Sequence, residues 1–381
     1  MKSETGLSYY LSNLSKDIPS GLVVFFVALP LCLGISLASG APLLSGLVTG
    51  IVGGVVVAWL SGSQLAVSGP AAGLTVIVLN GIATLGTFEA FLLAVVIAGF
   101  LQLILGFMKA GVIGLYFPSS VIKGMLAAIG LILILKQIPH FMGADDDFFG
   151  EMAFFQPDGR NTFSEIAYAF SKIQKGALII GIISLAVILL WDNPKLKSIK
   201  FFKLIPGALV AVILSIGLNA FFINYVPALA ITQSHLVNIP IMNGFSDLSS
   251  ELQFLDLESI TNPSVYIVAF TIAIVASLET LLSIEAIDKL DPHKRRSDTN
   301  RELKAQGVGN MVAGLLGGLP MTAVIVRGST NVAAGAQTRV SSFIHGVFLA
   351  MSVLLLASLM NQIPLSALAA VLLVVGFKLT K

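Results

Sequence analysis

About twelve apolar runs, each of roughly 16–24 residues and nearly free of charge, follow one another between Gly21 and Lys378. A helix needs about 20 residues to cross some 30 Å of hydrocarbon, and a soluble core has no use for so many runs of that length. They begin near Gly21, Pro42, Gly69, Ala90, Val121, Gly176, Leu204, Val265, Ala305, Thr322, Ser341 and Pro364. A composition of 56% hydrophobic and 11% charged residues agrees, because soluble domains carry about twice that charge. The expected fold is an all-α polytopic membrane protein, and the whole chain, residues 1–381, reads as one transmembrane domain.

Charge is scarce, and its placement orients the chain. Lys195, Lys197, Lys200 and Lys203 fill one connection; Lys289, Lys294, Arg295, Arg296, Arg301 and Lys304 fill another. Short loops rich in Lys and Arg stay on the cytoplasmic side, so an intracellular N-terminus places both inside. The connection with Asp145, Asp146, Asp147 and Glu151 then falls outside, as does the stretch from Tyr225 to Asn262. The expected location is the cell membrane. A net charge of +2 gives no reason for a nucleic-acid partner. Cys32 is the sole cysteine, which excludes an internal disulfide. The first apolar run is too long for a cleaved leader and is read as a retained helix. Leu7 to Ile18 sets Tyr9, Tyr10, Leu11 and Leu14 against Ser12, Asn13 and Lys16, as an interfacial helix would, with a frayed leader as the alternative. The chain stops at Lys381 directly after an apolar run, which is expected of a piece of a longer protein.

Two runs are short and carry helix breakers at membrane depth: Ser68-Gly69-Pro70-Ala71-Ala72-Gly73-Leu74-Thr75 and Gly317-Gly318-Leu319-Pro320-Met321-Thr322-Ala323. Irregular backbone there must be buried in protein or line a wet cavity. The reading is of two half-helices with Pro at the first helical position, where its missing N–H costs nothing. Paired half-helices in corresponding places of two halves mark a transporter site near the midplane. Their N-termini, each with free N–H groups and about half a positive charge, favour an anion. Ordinary tolerance of Gly and Pro in membrane helices is the plainer alternative.

Among the few intramembrane charges, Arg327 lies seven residues after Pro320, placed about 10 Å along the half-helix. It is either a fixed counter-charge for the anion or half of a structural ion pair. Glu279 sits mid-span with Ser283 one turn on. The pair suits proton coupling or part of a cation site, and a neutralising bridge from Glu279 to Arg327 is expected in at least one state. Gly46, Gly50 and Gly54 read as a packing ladder, and His345 as a hydrogen-bonded core residue. No phosphate-binding loop or Cys/His cluster points to ATP, a metal or another cofactor, and no nucleophile and base stand at a spacing an enzyme would use.

At this point the residues resemble the SulP group of anion transporters. The matching segments are Val27-Ala28-Leu29-Pro30-Leu31, Ala38-Ser39-Gly40-Ala41-Pro42, Ser68-Gly69-Pro70 and Ser277-Leu278-Glu279-Thr280-Leu281-Leu282-Ser283. Asn300 to Asn310, Gly317-Gly318-Leu319-Pro320 and Ile325 to Asn331 complete them, in the family's order. The resemblance implies two inverted seven-span repeats, with a core at about 18–110 and 263–360 and a gate at about 112–225 and 362–381. The last two helices and a cytoplasmic STAS domain would lie outside this sequence. Carried over by position, Leu31, Ile35, Ala71, Ala72, Gly73, Arg327, Gly328 and Ser329 would surround the substrate, with Glu279 and Ser283 at the coupling ion.

The implied activity is secondary transport of sulfate, bicarbonate or a C4-dicarboxylate by an elevator movement, in a homodimer, coupled to H⁺ or Na⁺. Family members that use Na⁺ have Asp and Thr where this chain has Glu279 and Ser283, so H⁺ symport is the first expectation. A nucleobase carrier of the same fold, a Na⁺-coupled bicarbonate carrier and a non-transporting anion sensor are the alternatives.

Overall fold

A computed structural model describes residues 6–116, 118–144, 154–155, 159–193, 196, 202, 207–238 and 252–380. The acidic connection at Asp145, Asp146, Asp147 and Glu151 and the lysines 195, 197, 200 and 203 lie outside these residues.

All twelve apolar runs coincide with helical segments. In chain order the helices, with the short α6 added between two of the runs, are α1 (Leu7–Ala38), α2 (Leu43–Val52, carried to Leu60 through a π turn at Gly53–Val57), α3 (Thr75–Leu85) and α4 (Phe88–Phe107). Next come α5 (Ser119–Met142), the short α6 (Thr162–Ser171), α7 (Lys175–Trp191) and α8 (Gly207–Tyr225). The last group is α9 (Pro263–Leu290), α10 (Thr299–Leu315), α11 (Ile325–Ala333), α12 (Val340–Leu354) and α13 (Leu365–Thr380). By length and composition α1, α2 with its extension, α4, α8 and α9 suffice to cross a membrane, while α6 and α7 bend by 114°. Two three-residue strands, β1 (Ser68–Pro70) and β2 (Met321–Ala323), precede α3 and α11.

Local chemistry sets these boundaries. Asn262 caps α9 ahead of Pro263, and Asp298 accepts from the Asn300 and Arg301 N–H groups at the start of α10. That cap starts α10 six residues before the apolar run at Ala305, so its first turns are polar. Leu7 to Ile18 is not a separate interfacial helix but the opening of α1. It is pinned by Asp17, fully buried, which accepts from the Gln337 and Thr338 N–H groups and from the Thr338 hydroxyl.

The chain forms two compact units, Met1–Gly124 with Met242–Leu354 and Met125–Ile241 with Leu355–Lys381. The first unit repeats one order of elements: helix, helix, strand with half-helix, helix. It runs once as α1, α2, β1–α3, α4 and again as α9, α10, β2–α11, α12. Its most extensive helix pairing is between α4 and α10, where a Cβ on Gly99 would stand 2.6 Å from the Gly307 carbonyl. The Gly46, Gly50 and Gly54 ladder does pack closely, against Cys32 of α1 and Gly346 of α12. An apolar cluster of Ile35, Ala71, Leu74, Phe91, Ile272 and Ala276 fills the space beside the first half-helix. The second unit has its own core of Ala177, Ile180, Phe222, Ile231 and Ala367.

Candidate functional site

The two helix-breaking segments meet. β1 and β2 pair antiparallel with Ser68 opposite Ala323, Gly69 opposite Thr322 and Pro70 opposite Met321. Each strand leads into a half-helix, of 11 residues in α3 and 9 in α11. Because the strands are antiparallel, the half-helices leave from opposite ends of the ribbon, and each turns its N-terminus toward it. This corrects the placing of the prolines: Pro70 closes β1 and Pro320 precedes β2, so neither opens a helix. Pairing wins because extended backbone lets each strand bond to the other, where an isolated helix start would leave its donors bare.

Arg327 is accordingly the third residue of α11 and not two turns into it. It is fully buried. Nη2 donates to Cys32 Sγ at 3.2 Å, while Nε and Nη1 have no hydrogen-bond partner. A Cβ on Gly69 would stand 1.9 Å from Nη1, so the guanidinium occupies the space that any larger residue there would fill. Buried donors left open are rare and costly, and an ionised group raises that cost.

Glu279 lies in α9 and is half-buried. A Cβ on Gly73 would meet its carboxylate at 3.0–3.2 Å, which sets Glu279 at the entry to α3. The expected bridge to Arg327 is not made: among the described residues, Arg327 donates to Cys32 and Glu279 stands by Gly73. The two charges sit at the beginnings of different half-helices. Ser283 is buried one turn along α9. Ala71 is buried, whereas Ala72 is half-buried and Gly73 exposed. Gly328 abuts Ile287 of α9, and the Ser329 hydroxyl donates to the Val326 carbonyl at 3.0 Å. Ile35 packs in one cluster with Ala71; Leu31 is buried in α1 beside Cys32 in sequence. His345 is buried as expected, but neither ring nitrogen has a hydrogen-bond partner.

Sequence reasoning passed over the residues that hold the ribbon. Cys32, whose lack of a second cysteine says only that no internal disulfide forms, is the Arg327 partner. Glu302, Gln306 and Asn310 project at four-residue intervals from α10, all fully buried. Glu302 accepts from the Ser61 hydroxyl, the Gly62 N–H and Gln306; Gln306 also donates to Ser68 of β1. Asn310 accepts from the Met321 N–H at 2.6 Å and donates to the Met321 carbonyl at 3.2 Å. The i, i+4, i+8 spacing of these polar residues along one face of α10 was the available signal.

A family model for the sulfate permease family matches residues 14–381. "Putative sulfate transporter YvdB" of Bacillus subtilis is 30% identical over 98% of this chain and 66% of its own length. "Bicarbonate transporter BicA" of Picosynechococcus is 29% identical over 96% of this chain and 62% of its own length. The chain thus spans a little under two thirds of these relatives. The solved transmembrane domain of a cyanobacterial bicarbonate transporter BicA superposes with a TM-score of 0.66 at 25% identity, covering 97% of this chain and 90% of that one. An SLC26A9 structure superposes at 0.63 with 18% identity, over 97% of this chain and 58% of that one, which speaks for the fold alone. These are inverted-repeat transmembrane folds, and the repeated element order about the β1–β2 ribbon is the same architecture. With its family model spanning nearly the whole sequence, the chain belongs to the sulfate permease family.

Proposed function

We infer that this protein carries small inorganic or carboxylate anions across the cell membrane as a secondary transporter, with protons as the coupling ion. The observation that supports it most directly is Arg327, a fully buried guanidinium with Nε and Nη1 unpaired at the start of a half-helix. An oxyanion arriving at the ribbon would meet those donors and the free N–H groups of α3 and α11, whose dipoles add to the attraction. Leu31, Ile35, Ala71, Ala72, Gly73, Gly328 and Ser329 would line the place. The relatives named for sulfate and bicarbonate transport agree with that ligand class.

Glu279 gives the coupling a physical basis. Its carboxylate stands at Gly73, at the entry to α3. Ionised, it would repel an anion at close range through a medium of low dielectric; protonated, it would not. Anion and proton would then bind together, which is symport. Sodium held by Glu279 and Ser283 would give the same neutralisation. In this reading the first unit carries the anion and the second serves as gate in an elevator cycle, within a homodimer whose N-termini face the cytoplasm.

The test is uptake of labelled sulfate, bicarbonate and fumarate into proteoliposomes under imposed pH or Na⁺ gradients, for wild type, Glu279→Gln and Arg327→Ala. Proton-driven uptake of one anion, lost in Arg327→Ala and freed of its pH dependence in Glu279→Gln, is the expected result. Uptake driven by Na⁺ alone would replace the coupling ion. No uptake of any of the three would sink the reading and favour a nucleobase carrier or a sensor.

A further inference from the structure

The outer edge of a two-stranded ribbon buried in protein must find partners for backbone groups that no third strand supplies. In β2 each of these partners is a side chain. Asn310 takes both the N–H and the carbonyl of Met321, and the Thr322 hydroxyl donates to the Ala323 carbonyl. The Ala323 N–H, one residue before the turn into α11, donates to the Thr280 hydroxyl oxygen at 3.3 Å. Thr280 and Ala323 are both fully buried, so water does not stand in for that bond.

Thr280 follows Glu279 in α9. Two consecutive residues of one helical turn thus address the two half-helices separately: Glu279 meets Gly73 ahead of α3, and Thr280 holds Ala323 ahead of α11. The same helix receives the ribbon again through Ser277, which accepts from Gln102, itself the acceptor for Asn310. We propose that Thr280 is a positioning residue, tying the start of α11, and with it Arg327, to the turn of α9 that bears Glu279. For its effect on substrate the proposal rests on the anion-carrier reading; as a tether it stands on the Ala323 bond alone.

Thr280→Val removes the hydroxyl at nearly constant volume, Thr280→Ser keeps it, and Thr280→Ala replaces Val should Val prevent folding. Hydrogen exchange of the purified protein reads the tether without any substrate. The Met321–Ile325 stretch should exchange about tenfold faster in Thr280→Val and at the wild-type rate in Thr280→Ser. In proteoliposomes offered labelled sulfate, bicarbonate or fumarate, the same loss should raise KM by about tenfold with kcat within about twofold, and Ser should restore it. Unchanged exchange in Thr280→Val, or failure of Thr280→Ser alongside Val, overturns the tether. Faster exchange with an unchanged KM overturns its role in placing the site. If the wild type moves none of the anions, the transport reading fails and exchange still decides the tether.

Discussion

Gly69 and Arg327 share one space: a Cβ on the glycine would lie 1.9 Å from Nη1 of the guanidinium and 2.9 Å from Cζ. Arg327 is fully buried and bonded to Cys32, so displacing it breaks that bond. Gly69→Ala should therefore displace the guanidinium. Overpacking of this kind costs about 1–3 kcal/mol, so thermal unfolding in detergent should fall measurably. Anion affinity should fall at least about tenfold, read as the loss of anion-induced thermal stabilisation. Retention of both values would mean that the guanidinium has another place to go.

Cys32 is the single side chain bonded to Arg327 among the described residues. Cys32→Ala leaves a third buried donor of the guanidinium open, and the expected loss is about 1–3 kcal/mol of stability. Cys32→Ser supplies a better acceptor in the same position and should hold or raise the melting temperature. If Ala and Ser behave alike, the thiol contributes only volume.

Glu302 satisfies the Ser61 hydroxyl, the Gly62 N–H and Gln306 at once. Glu302→Ala orphans the Gly62 N–H and loosens the approach to β1, with an expected cost of about 2 kcal/mol or more. Glu302→Gln retains one acceptor and should lose less. The check is the unfolding midpoint of each variant beside wild type.

Asp291, just beyond the end of α9, is ion-paired with Arg295 at 2.6 Å and accepts from the His293 N–H. Burial pushes its carboxyl up, but the bonds and charge of Arg295 and the His293 N–H outweigh this and hold it below the usual carboxylate range. A depressed folded value means stabilisation that is whole above the ordinary Asp value of about 3.9 and is lost as the pH falls through the lower folded one. Asp291→Asn should thus be less stable than wild type at pH 6–7, and the gap should close on acidification below about pH 4. An equal gap at both pH values would assign the effect to packing.

The apolar runs by themselves determined that the chain is helical, where its apolar segments fall and that two of them are broken, because periodicity and length are local properties. The breakers Pro70 and Pro320 also marked where the two halves correspond. Sequence placed them as helix starts, however, because nothing local to either segment reveals that it pairs with another 250 residues away. Strand pairing moved α11 downstream, and so put Arg327 in its first turn, aimed at Gly69 and Cys32. Opposite charges in one membrane domain argued for a Glu279–Arg327 pair, but the fold put each at its own half-helix. Which buried backbone groups need a partner is decided only when strands and helices are packed, and that is why the partners of Thr280, Glu302 and Asn310 are set by the tertiary structure.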